Sequence, residues 1–231
     1  MLVTAGPTIE DIDPVRFISN RSTGRLGVEI ARAALKRGWN VILVHGPLRS
    51  DVEADLHRSL SRKAPRIKIV PIRSAEQMHQ AVMKHVRQTD AVVMNAAVAD
   101  FAPVEHSPTK LKKAMSQLWL KLKPTVDILA AMGAWKKKTG ADVILCGFAL
   151  ETGKGRTEAE RRAARISEAR RKLRDKNLDM IVLDMPQAMG ADRCDFTLLS
   201  PDGALELKGC SKVALAARLV DHIRSLMQHH A

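Results

Sequence analysis

The chain has 231 residues, of which 45% are apolar, enough to build a sizeable core in one large domain. Its formal net charge of +13 is compatible with nucleic acid, a membrane surface or anionic small molecules as partners. Aromatic residues make up 3% of the chain and include no Tyr, which leaves few side chains to stack on single-stranded nucleic acid. The basic residues are scattered along the chain, so composition argues against a nucleic-acid partner.

The three cysteines indicate a reducing compartment. Cys146, Cys194 and Cys210 are widely spaced and form no CxxC pair, which argues against structural zinc. The first apolar run begins directly after Met1, as expected for a chain without a signal peptide. No apolar stretch reaches transmembrane length. We therefore expect a cytoplasmic protein with no membrane partner.

The N-terminal part of the chain predicts a strand, a helix and a second strand. Leu2–Ala5 is a short buried strand that ends at a Gly-Pro turn. The stretch from Gly24 to Arg37 has one apolar helical face, followed by Gly38 as a C-cap. Val41–Val44 is β-branched and apolar. Such a βαβ unit is the building block of a parallel sheet.

The rest of the chain continues this alternation. The predicted strands are Ile67–Ile72, Ala91–Met94, an exposed Leu118–Leu122, Val143–Cys146, Met180–Leu183 and a hairpin of Phe196–Leu199 with Ala204–Leu207. The predicted helices run from Ser74 to Gln88, Thr125 to Lys138, Thr157 to Asp175 and Ser211 to Met227, with a partly helical loop over Leu48–Ala64. The pattern predicts a single α/β domain over residues 1–231. Its sheet is Rossmann-like, doubly wound and mostly parallel, with helices on both faces and a small antiparallel flap and C-terminal hairpin.

Ligands of such a sheet bind beyond the carboxyl ends of its strands. This rule selects the loop Asp13–Gly27, the segment Asn95–Pro108, the turn Gly147–Thr152 and the region after Leu183. The first loop leads straight into a helix, whose N-terminus offers free N–H groups and the positive end of the helix dipole.

The loop before that helix suits phosphate. Ser22, Thr23 and Gly24 combine hydroxyls with a glycine at the helix start, and Arg21 and Arg25 add two guanidinium groups. The loop has neither G-x-G-x-x-G nor the Lys-Ser/Thr ending of a P-loop. Asn20 has an amide that both donates and accepts, useful for holding a carboxylate or acyl oxygen. The alternative is an ordinary helix start with Ser22 or Thr23 as N-cap.

Other candidate residues each have a structural alternative. Asp100 suits a ribose hydroxyl or a hydrated magnesium ion, or caps a turn. Lys110, in the basic cluster Lys110–Lys113, suits a phosphate or belongs to a solvated loop. Lys172 and Lys176 share one helix face, which suits anion binding or simply favours a helix C-terminus. Phe148 would stack on a base or pack in the core.

Taken together, these segments resemble one known family, phosphopantothenate–cysteine ligase, also called phosphopantothenoylcysteine synthetase. The matching motifs are Thr4–Thr8, Ile12–Asn20, Ser22–Gly27, Ala96–Asp100, Lys110–Lys113, Asp127–Ala130, Gly147–Thr152 and Lys172–Asp179. They occur in the family's order and cover nearly the whole chain. In many bacteria the ligase is fused behind a flavin-dependent decarboxylase, and this length matches the ligase domain alone.

The resemblance implies a two-step reaction in coenzyme A biosynthesis. The carboxylate of 4′-phosphopantothenate attacks the α-phosphate of a nucleoside triphosphate, which gives an acyl-nucleotidylate and pyrophosphate. The amine of L-cysteine then displaces the nucleoside monophosphate. Mg²⁺ neutralises the triphosphate, and the bacterial style of the sequence favours CTP, and hence an acyl-cytidylate, over ATP.

The resemblance also implies residue roles and partners. Asn20 and Lys110 are the expected catalytic residues, and Arg16, Asn20 and Ala97 are expected to bind the acid substrate. The expected nucleotide-binding residues are Ser22, Thr23, Gly24, Ala96, Asp100, Lys110, Asp127, Ile128, Phe148, Lys172 and Lys176. The metal ligands are left unassigned. The family is a homodimer in which a loop of one subunit closes the site of the other, and a separate decarboxylase is a possible partner.

The chain departs from the family pattern in three places. It has an insertion between Thr152 and Lys172, and Thr125–Asp127 and Val182–Asp184 replace the family's Asn-Pro-Asp and Ala-Asn-Asp. Two other functions stay open from the sequence. One is a Rossmann-type NAD(P)-dependent oxidoreductase, which the missing glycine motif and the absence of Tyr disfavour. The other is a non-catalytic basic nucleic-acid binder.

Overall fold

An eight-stranded sheet lies at the centre of the computed structural model, which describes residues 1–60, 65–112, 118–151, 153–184 and 193–230. Lys113, Thr152, residues 61–64 and residues 185–192, which entered the sequence predictions, lie outside this description. The sheet strands are β1 (Leu2–Ala5), β4 (Val41–His45), β5 (Ile67–Pro71), β6 (Ala91–Met94), β9 (Ile144–Leu150), β10 (Met180–Asp184), β11 (Arg193–Ser200) and β12 (Gly203–Ser211). The helices are α1 (Arg25–Lys36), α2 (Ser50–Ser59), α3 (Ala75–His85), α4 (Ile128–Thr139), α5 (Glu158–Asp175) and α6 (Lys212–His230).

The sheet has the order β12-β11-β10-β9-β6-β1-β4-β5. From β5 to β10 all neighbours are parallel, whereas β11 and β12 pair antiparallel at the other edge. The chain builds outward from β1 to β4 and β5, then crosses back to place β6 on the opposite side of β1. The strand order therefore reverses between β1 and β6, which confirms the predicted doubly wound fold and fixes its switch point.

Helices cover both faces of the sheet. One core cluster joins the sheet to α1, α2 and α6, with fully buried side chains such as Ile30, Leu56 and Leu219. The other joins it to α3, α4 and α5 through residues such as Met78 and Met132. None of the described helices combines the length and apolar content that crossing a membrane requires.

Two small hairpins interrupt the βαβ pattern next to the switch point. One pairs β2 (Ile9–Asp11) with β3 (Phe17–Ser19), and the other pairs β7 (Phe101–Pro103) with β8 (Leu122–Pro124). The predicted strand Leu118–Leu122 is wrong, because pairing with β7 begins only at Leu122. The apolar run there does not mark a buried strand, since Leu118, Trp119 and Leu120 all face solvent.

Side-chain caps determine where several helices begin. Ser74 forms a capping box with Gln77, as predicted for α3, and Thr157 forms one with Glu160 at α5. The predicted start of α4 at Thr125 is too early. Asp127 accepts a hydrogen bond from the N–H of Ala130 at 2.9 Å, so α4 begins at Ile128.

A glycine within α4 allows α4 to approach the end of α5 closely. A Cβ atom on Gly133 would lie 1.7 Å from the carbonyl oxygen of Lys176. An alanine in a helix interior normally gains about 1 kcal/mol over glycine. At Gly133 the close contact is with a backbone carbonyl, which cannot rotate away. The steric cost of the added Cβ atom should therefore exceed the gain in helix propensity, so that alanine destabilises the protein.

We therefore expect Gly133→Ala to lower the free energy of unfolding by about 1–2 kcal/mol, because overpacking outweighs the gain in helix propensity. Urea denaturation measures this difference. Gly203→Ala is the matched control, since a Cβ atom there has no neighbour within 4 Å. Equal or greater stability of the Gly133 variant would contradict the expectation.

Candidate active site at the switch point

Two threonines of the first strand region fix the loop that follows β6. Thr4 Oγ1 accepts a hydrogen bond from the N–H of Ala96 at 3.0 Å, and Thr8 Oγ1 accepts one from Ala99 at 2.9 Å. Between them the N–H of Ala97 donates to the carbonyl of Gly6 at 2.9 Å. Both threonines are fully buried. The loops after β1 and β6 therefore run side by side and are joined by hydrogen bonds. Residues 4–8 and 96–99 form one rigid surface, here called the floor of the site.

Asn20 lies against this floor. Its Nδ2 donates to the carbonyl oxygens of Ala97, at 3.1 Å, and Val98, at 3.0 Å. Both amide hydrogens are thus used by the backbone, and the oxygen Oδ1 is the part of the amide that remains to accept from a ligand. The sequence predicted Asn20 and Ala97 as neighbours in one site, and the structure places them in contact.

The N-terminus of α1 begins without a side-chain cap. Its N-cap residue is Gly24, in the left-handed region at φ 78°, so the predicted alternative of Ser22 or Thr23 as N-cap is wrong. Instead, Ser22 Oγ accepts from the N–H of Gly24 at 3.3 Å, and Thr23 Oγ1 from that of Arg25 at 3.4 Å. The first turn of α1 contains no acidic residue, which leaves the helix end suited to an anion.

These elements border a cavity of about 840 Å³ at the carboxyl edge of the sheet. All predicted site residues except Arg16 and Lys110 line it. Those that do are Asn20, Ser22, Thr23, Gly24, Ala96, Ala97, Asp100, Asp127, Ile128, Phe148, Lys172 and Lys176. Segments that are far apart in sequence therefore converge on one site.

Two lysines of α5 enter the cavity already paired with carboxylates. Lys172 Nζ lies 2.5 Å from Glu151 Oε1, and Lys176 Nζ lies 2.7 Å from Asp127 Oδ2. Burial would raise the pKa of Asp127, but the Lys176 ammonium and the backbone N–H groups of α4 outweigh it and lower the pKa below the ordinary value. Both lysines are half-buried and are held at fixed points of the wall.

The remaining predicted wall residues lie around these lysines. Phe148, opposite Val182 in the β9–β10 pairing, packs against the core on the α1 and α6 side and also lines the cavity. Its packing against the core is one of the two alternatives that the sequence left open, and stacking on a base stays a prediction. Ile128 is buried at the first position of α4, whereas Asp100 is exposed at the cavity edge.

Arg16 and Lys110 belong to loops beside the cavity. The buried carboxylate of Asp13 accepts from the backbone N–H groups of Val15 and Arg16, each at 2.8 Å, and from Leu111 at 3.1 Å. Arg16 pairs with Asp13 at 3.2 Å and donates to the carbonyl of Leu111. Burial would raise the pKa of Asp13, but these N–H donors and Arg16 lower it. One carboxylate thus ties the loop bearing Arg16 to the loop bearing Lys110.

Several lining residues with polar or charged side chains, among them Asn95, Asp184 and Lys212, escaped the sequence prediction, whereas Arg21 and Arg25, which the sequence singled out as suited to phosphate, do line the cavity. A signal existed for Lys212. The predicted hairpin makes its second strand parallel to β10, so the end of that strand reaches the carboxyl edge, and Lys212 follows it directly. Arg25 lines the cavity but pairs with Asp51 of α2 at 2.8 Å.

Fold and cavity together define a Rossmann-like α/β domain with a lysine-containing cavity at its switch point. Residues 1–227 match the family described as the DNA/pantothenate metabolism flavoprotein C-terminal domain. The chain belongs to this family, which confirms the relationship that the ordered motifs predicted.

Curated relatives are similar over almost the whole chain. The coenzyme A biosynthesis bifunctional protein CoaBC of Bacillus subtilis is 38% identical over 231 residues, covering 98% of this chain and 51% of that protein. A cysteine/cysteine sulfinic acid decarboxylase from an unidentified prokaryote is 41% identical over 191 residues, covering 83% of this chain and 47% of that protein. The chain therefore spans about half the length of the curated relatives it matches.

Solved structures share the fold. The C-terminal domain of a coenzyme A biosynthesis bifunctional protein CoaBC superposes with a TM-score of 0.74 at 32% identity, covering 99% of this chain and 95% of that one. A Cab2 mutant in complex with phosphopantothenate-cysteine superposes with a TM-score of 0.75 at 16% identity, covering 99% and 86%. The second likeness shows the fold alone.

Substitutions at Asp127 separate its helix cap from its ion pair. Asparagine is an equally good N-cap, so Asp127→Asn should remove only the exposed pair with Lys176 and cost about 0–1 kcal/mol of unfolding free energy. Asp127→Ala also removes the cap and should cost about 1 kcal/mol more.

The pH dependence of unfolding provides a second measurement of Asp127. Because the folded pKa is lowered, the carboxylate contributes stability above the ordinary aspartate pKa and loses it as the pH falls through the folded pKa. Denaturant titrations across acidic pH should give a shallower loss for Asp127→Asn than for the unaltered chain. Identical slopes would show that the Lys176 pair does not perturb Asp127.

Proposed function

We propose that this chain joins 4′-phosphopantothenate to L-cysteine in coenzyme A biosynthesis, through an acyl-nucleotidylate formed from a nucleoside triphosphate. The observation that carries the proposal is the convergence in one cavity of an uncapped helix N-terminus, Asn20 and two lysines of α5. The similarity to CoaBC proteins over almost the whole chain supports the same reaction.

The nucleotide would bind between α1 and α5. The N-terminal N–H groups of α1, with the hydroxyls of Ser22 and Thr23, suit phosphate oxygens from one side. Lys172 and Lys176 supply positive charge from the other, exchanging Glu151 and Asp127 for phosphate. Phe148 offers a ring face to the base, and Asp100 offers acceptors to the ribose. CTP is the proposed nucleotide, with ATP as the alternative.

The acid substrate would lie next to Asn20. Nδ2 of Asn20 is held by the carbonyls of Ala97 and Val98, so the amide is fixed before any ligand arrives. Its Oδ1 can accept from a polar hydrogen of the reacting groups, including the N–H of the incoming cysteine amine. Arg16 and Lys110, tied together through Asp13, would approach from the hairpin side, with Lys110 near the reacting phosphate.

Such a reaction needs no nucleophilic side chain, because both bonds are made by the substrates themselves. The protein contributes positioning of the carboxylate against the α-phosphate and stabilisation of the charge that moves onto pyrophosphate. Mg²⁺ in such sites usually keeps most of its water and phosphate ligands, with one or two protein carboxylates. Asp100, at the cavity edge, suits a hydrated Mg²⁺ as an alternative to the ribose, and the ion would neutralise the triphosphate. Among the described residues, no group of three or more His, Cys, Asp or Glu side chains is placed to hold a metal ion by itself.

We further propose that the chain acts as a homodimer through its two hairpins, which contact each other between β2 and β7. They expose an unusual set of apolar side chains: Val15, Phe17, Phe101, Val104, Leu118, Trp119, Leu120 and Leu122. Trp119 is 87% exposed. Large exposed apolar surface marks an interface, and the same hairpins flank the loops that bear Arg16 and Lys110. A second copy would therefore complete the acid site.

The bifunctional names of the relatives also suggest a phosphopantothenoylcysteine decarboxylase as a partner. The chain matches about half of those proteins. A decarboxylase would act on the product of the proposed ligation, either as a separate protein or as a fused domain.

The central test is pyrophosphate release by the purified chain with 4′-phosphopantothenate, L-cysteine, Mg²⁺ and either CTP or ATP. We expect release that requires both the acid and the nucleotide, with CTP preferred. Lys172→Ala should raise the KM for CTP by at least about tenfold, since a charge-assisted phosphate contact is lost.

Lys137→Ala provides the matched control, because this lysine lies on the exposed end of α4, outside the cavity. Activity that appears only with a reduced dinucleotide would overturn the ligase and favour an oxidoreductase. Salt-sensitive binding of DNA or RNA without pyrophosphate release would favour a nucleic-acid binder.

The dimer is tested by replacing its most exposed side chain. Trp119→Ser should shift the mass measured by light scattering from dimer towards monomer and lower kcat, because the acid site loses its second subunit. Leu205→Ser, on the distant strand β12, should leave both unchanged. A monomeric unaltered chain with full activity would contradict the dimer proposal.

A further inference from the structure

Lys212 occupies an unassigned position in the wall of the cavity. It is the first residue of α6, directly after β12 ends at Ser211, and its side chain is half-buried. It lines the same cavity as Phe148, Lys172 and Lys176. Because β12 is parallel to β10, α6 begins at the carboxyl edge of the sheet, as α1 does.

Lys212 differs from the two lysines of α5 in its surroundings. Lys172 and Lys176 each contact a carboxylate at 2.7 Å or less. In the part of the chain that the structure describes, Lys212 forms no ion pair with any carboxylate. Among the described carboxylates, its charge therefore has no ion-pair partner. An anionic ligand could bind Lys212 without displacing a carboxylate partner. Binding there should therefore cost less free energy than binding to Lys172 or Lys176.

The position of Lys212 on its helix is electrostatically unfavourable. A cation at a helix N-terminus faces the positive end of the dipole, and the first turn of α6 contains no acidic residue to offset it. Ser211 caps the helix by accepting from the N–H of Ala214 at 3.2 Å, so the helix start itself does not need the lysine. The helix dipole and the Lys212 ammonium together make the electrostatic potential on this side of the cavity positive. A positive potential favours an anionic ligand.

We propose that Lys212 is a further phosphate-binding residue of this site and that it acts on the triphosphate of the bound nucleotide. This inference rests on the proposed function, since it assumes that the cavity takes a nucleotide. Two phosphate groups could form the same contact with Lys212: the triphosphate of the nucleotide and the phosphate ester of the acid substrate. In the sheet order, Lys212 follows β12 on the side of β9, which carries Phe148, whereas Asn20 docks on the loop after β6. The triphosphate is therefore the expected ligand.

The experiment compares Lys212→Ala and Lys212→Arg with the unaltered chain by calorimetric titration of CTP, cytidine and 4′-phosphopantothenate. Lys212→Ala should weaken CTP binding by about tenfold and leave cytidine unchanged, because only a charge-assisted phosphate contact is lost. Lys212→Arg should retain most of the affinity. Lys208→Ala, an exposed lysine on β12 outside the cavity, should bind CTP normally.

Thermal unfolding separates a binding role from a structural one. Removing a cation from the N-terminus of α6 should leave the melting temperature of Lys212→Ala equal or higher, since an unfavourable dipole contact disappears. A large drop in melting temperature that Lys212→Arg does not repair would indicate a structural role and overturn the proposal.

The remaining outcomes distinguish this inference from the function on which it rests. Normal CTP binding by Lys212→Ala, while Lys172→Ala weakens it, overturns the role of Lys212 and leaves the ligase intact. Equal loss for cytidine and CTP overturns phosphate recognition. If Lys212→Ala weakens only the binding of 4′-phosphopantothenate, the triphosphate is not the group that contacts Lys212. The lysine then belongs to the site of the acid substrate. An unaltered chain that binds no nucleotide and releases no pyrophosphate defeats the proposed function itself.

Discussion

The candidate site depends on the hydrogen bonds that join the loops after β1 and β6. Thr4 and Thr8 are fully buried, and their hydroxyls accept from the N–H groups of Ala96 and Ala99. A buried backbone N–H without a partner is costly, so these side chains fix the second loop where no strand pairing reaches it. Asn20 then docks on the carbonyls of the same loop. Without this floor, neither Asn20 nor the start of α1 would have a defined position beside the cavity.

Around that floor, the charges of the cavity are largely balanced within the protein. Glu151 and Asp127 neutralise Lys172 and Lys176, while Asp51 holds Arg25. The two ion pairs reduce the repulsion between the lysines, but an anionic ligand would have to compete with the carboxylates. The uncapped end of α1 carries no such partner. In the proposed reaction, the site would combine the fixed dipole of α1, which needs no reorganisation, with two lysines that exchange a protein carboxylate for a ligand anion.

Much of the fold could be predicted from local sequence patterns. The strands of the large sheet follow from apolar runs, and the Ser74 cap follows from a hydroxyl residue directly before a helical pattern. The short strands β2, β3 and β7 escaped prediction, because three residues are too few to show a period. The predictions that failed concern places where two neighbouring residues could each begin a helix, or where a stretch could be either a strand or a loop. Thr125 is a plausible helix start, but Asp127 caps α4. Leu118–Leu122 is apolar enough for a strand, but its partner β7 is only three residues long. Gly24 replaces a hydroxyl as N-cap because the chain enters α1 in a left-handed conformation.

The sequence by itself determined the order of elements, the switch-point fold and the segments that carry polar residues to the carboxyl edge, because these depend on near neighbours along the chain. Only the tertiary structure decided which charges meet. Lys172 forms an ion pair with Glu151, 21 residues away in the sequence, and Lys176 forms one with Asp127, which is further away still. The place of Lys212 likewise depends on two antiparallel pairings that return β12 to the edge. Such contacts are set by strand order and by close approaches such as Gly133 to Lys176, which no local pattern records.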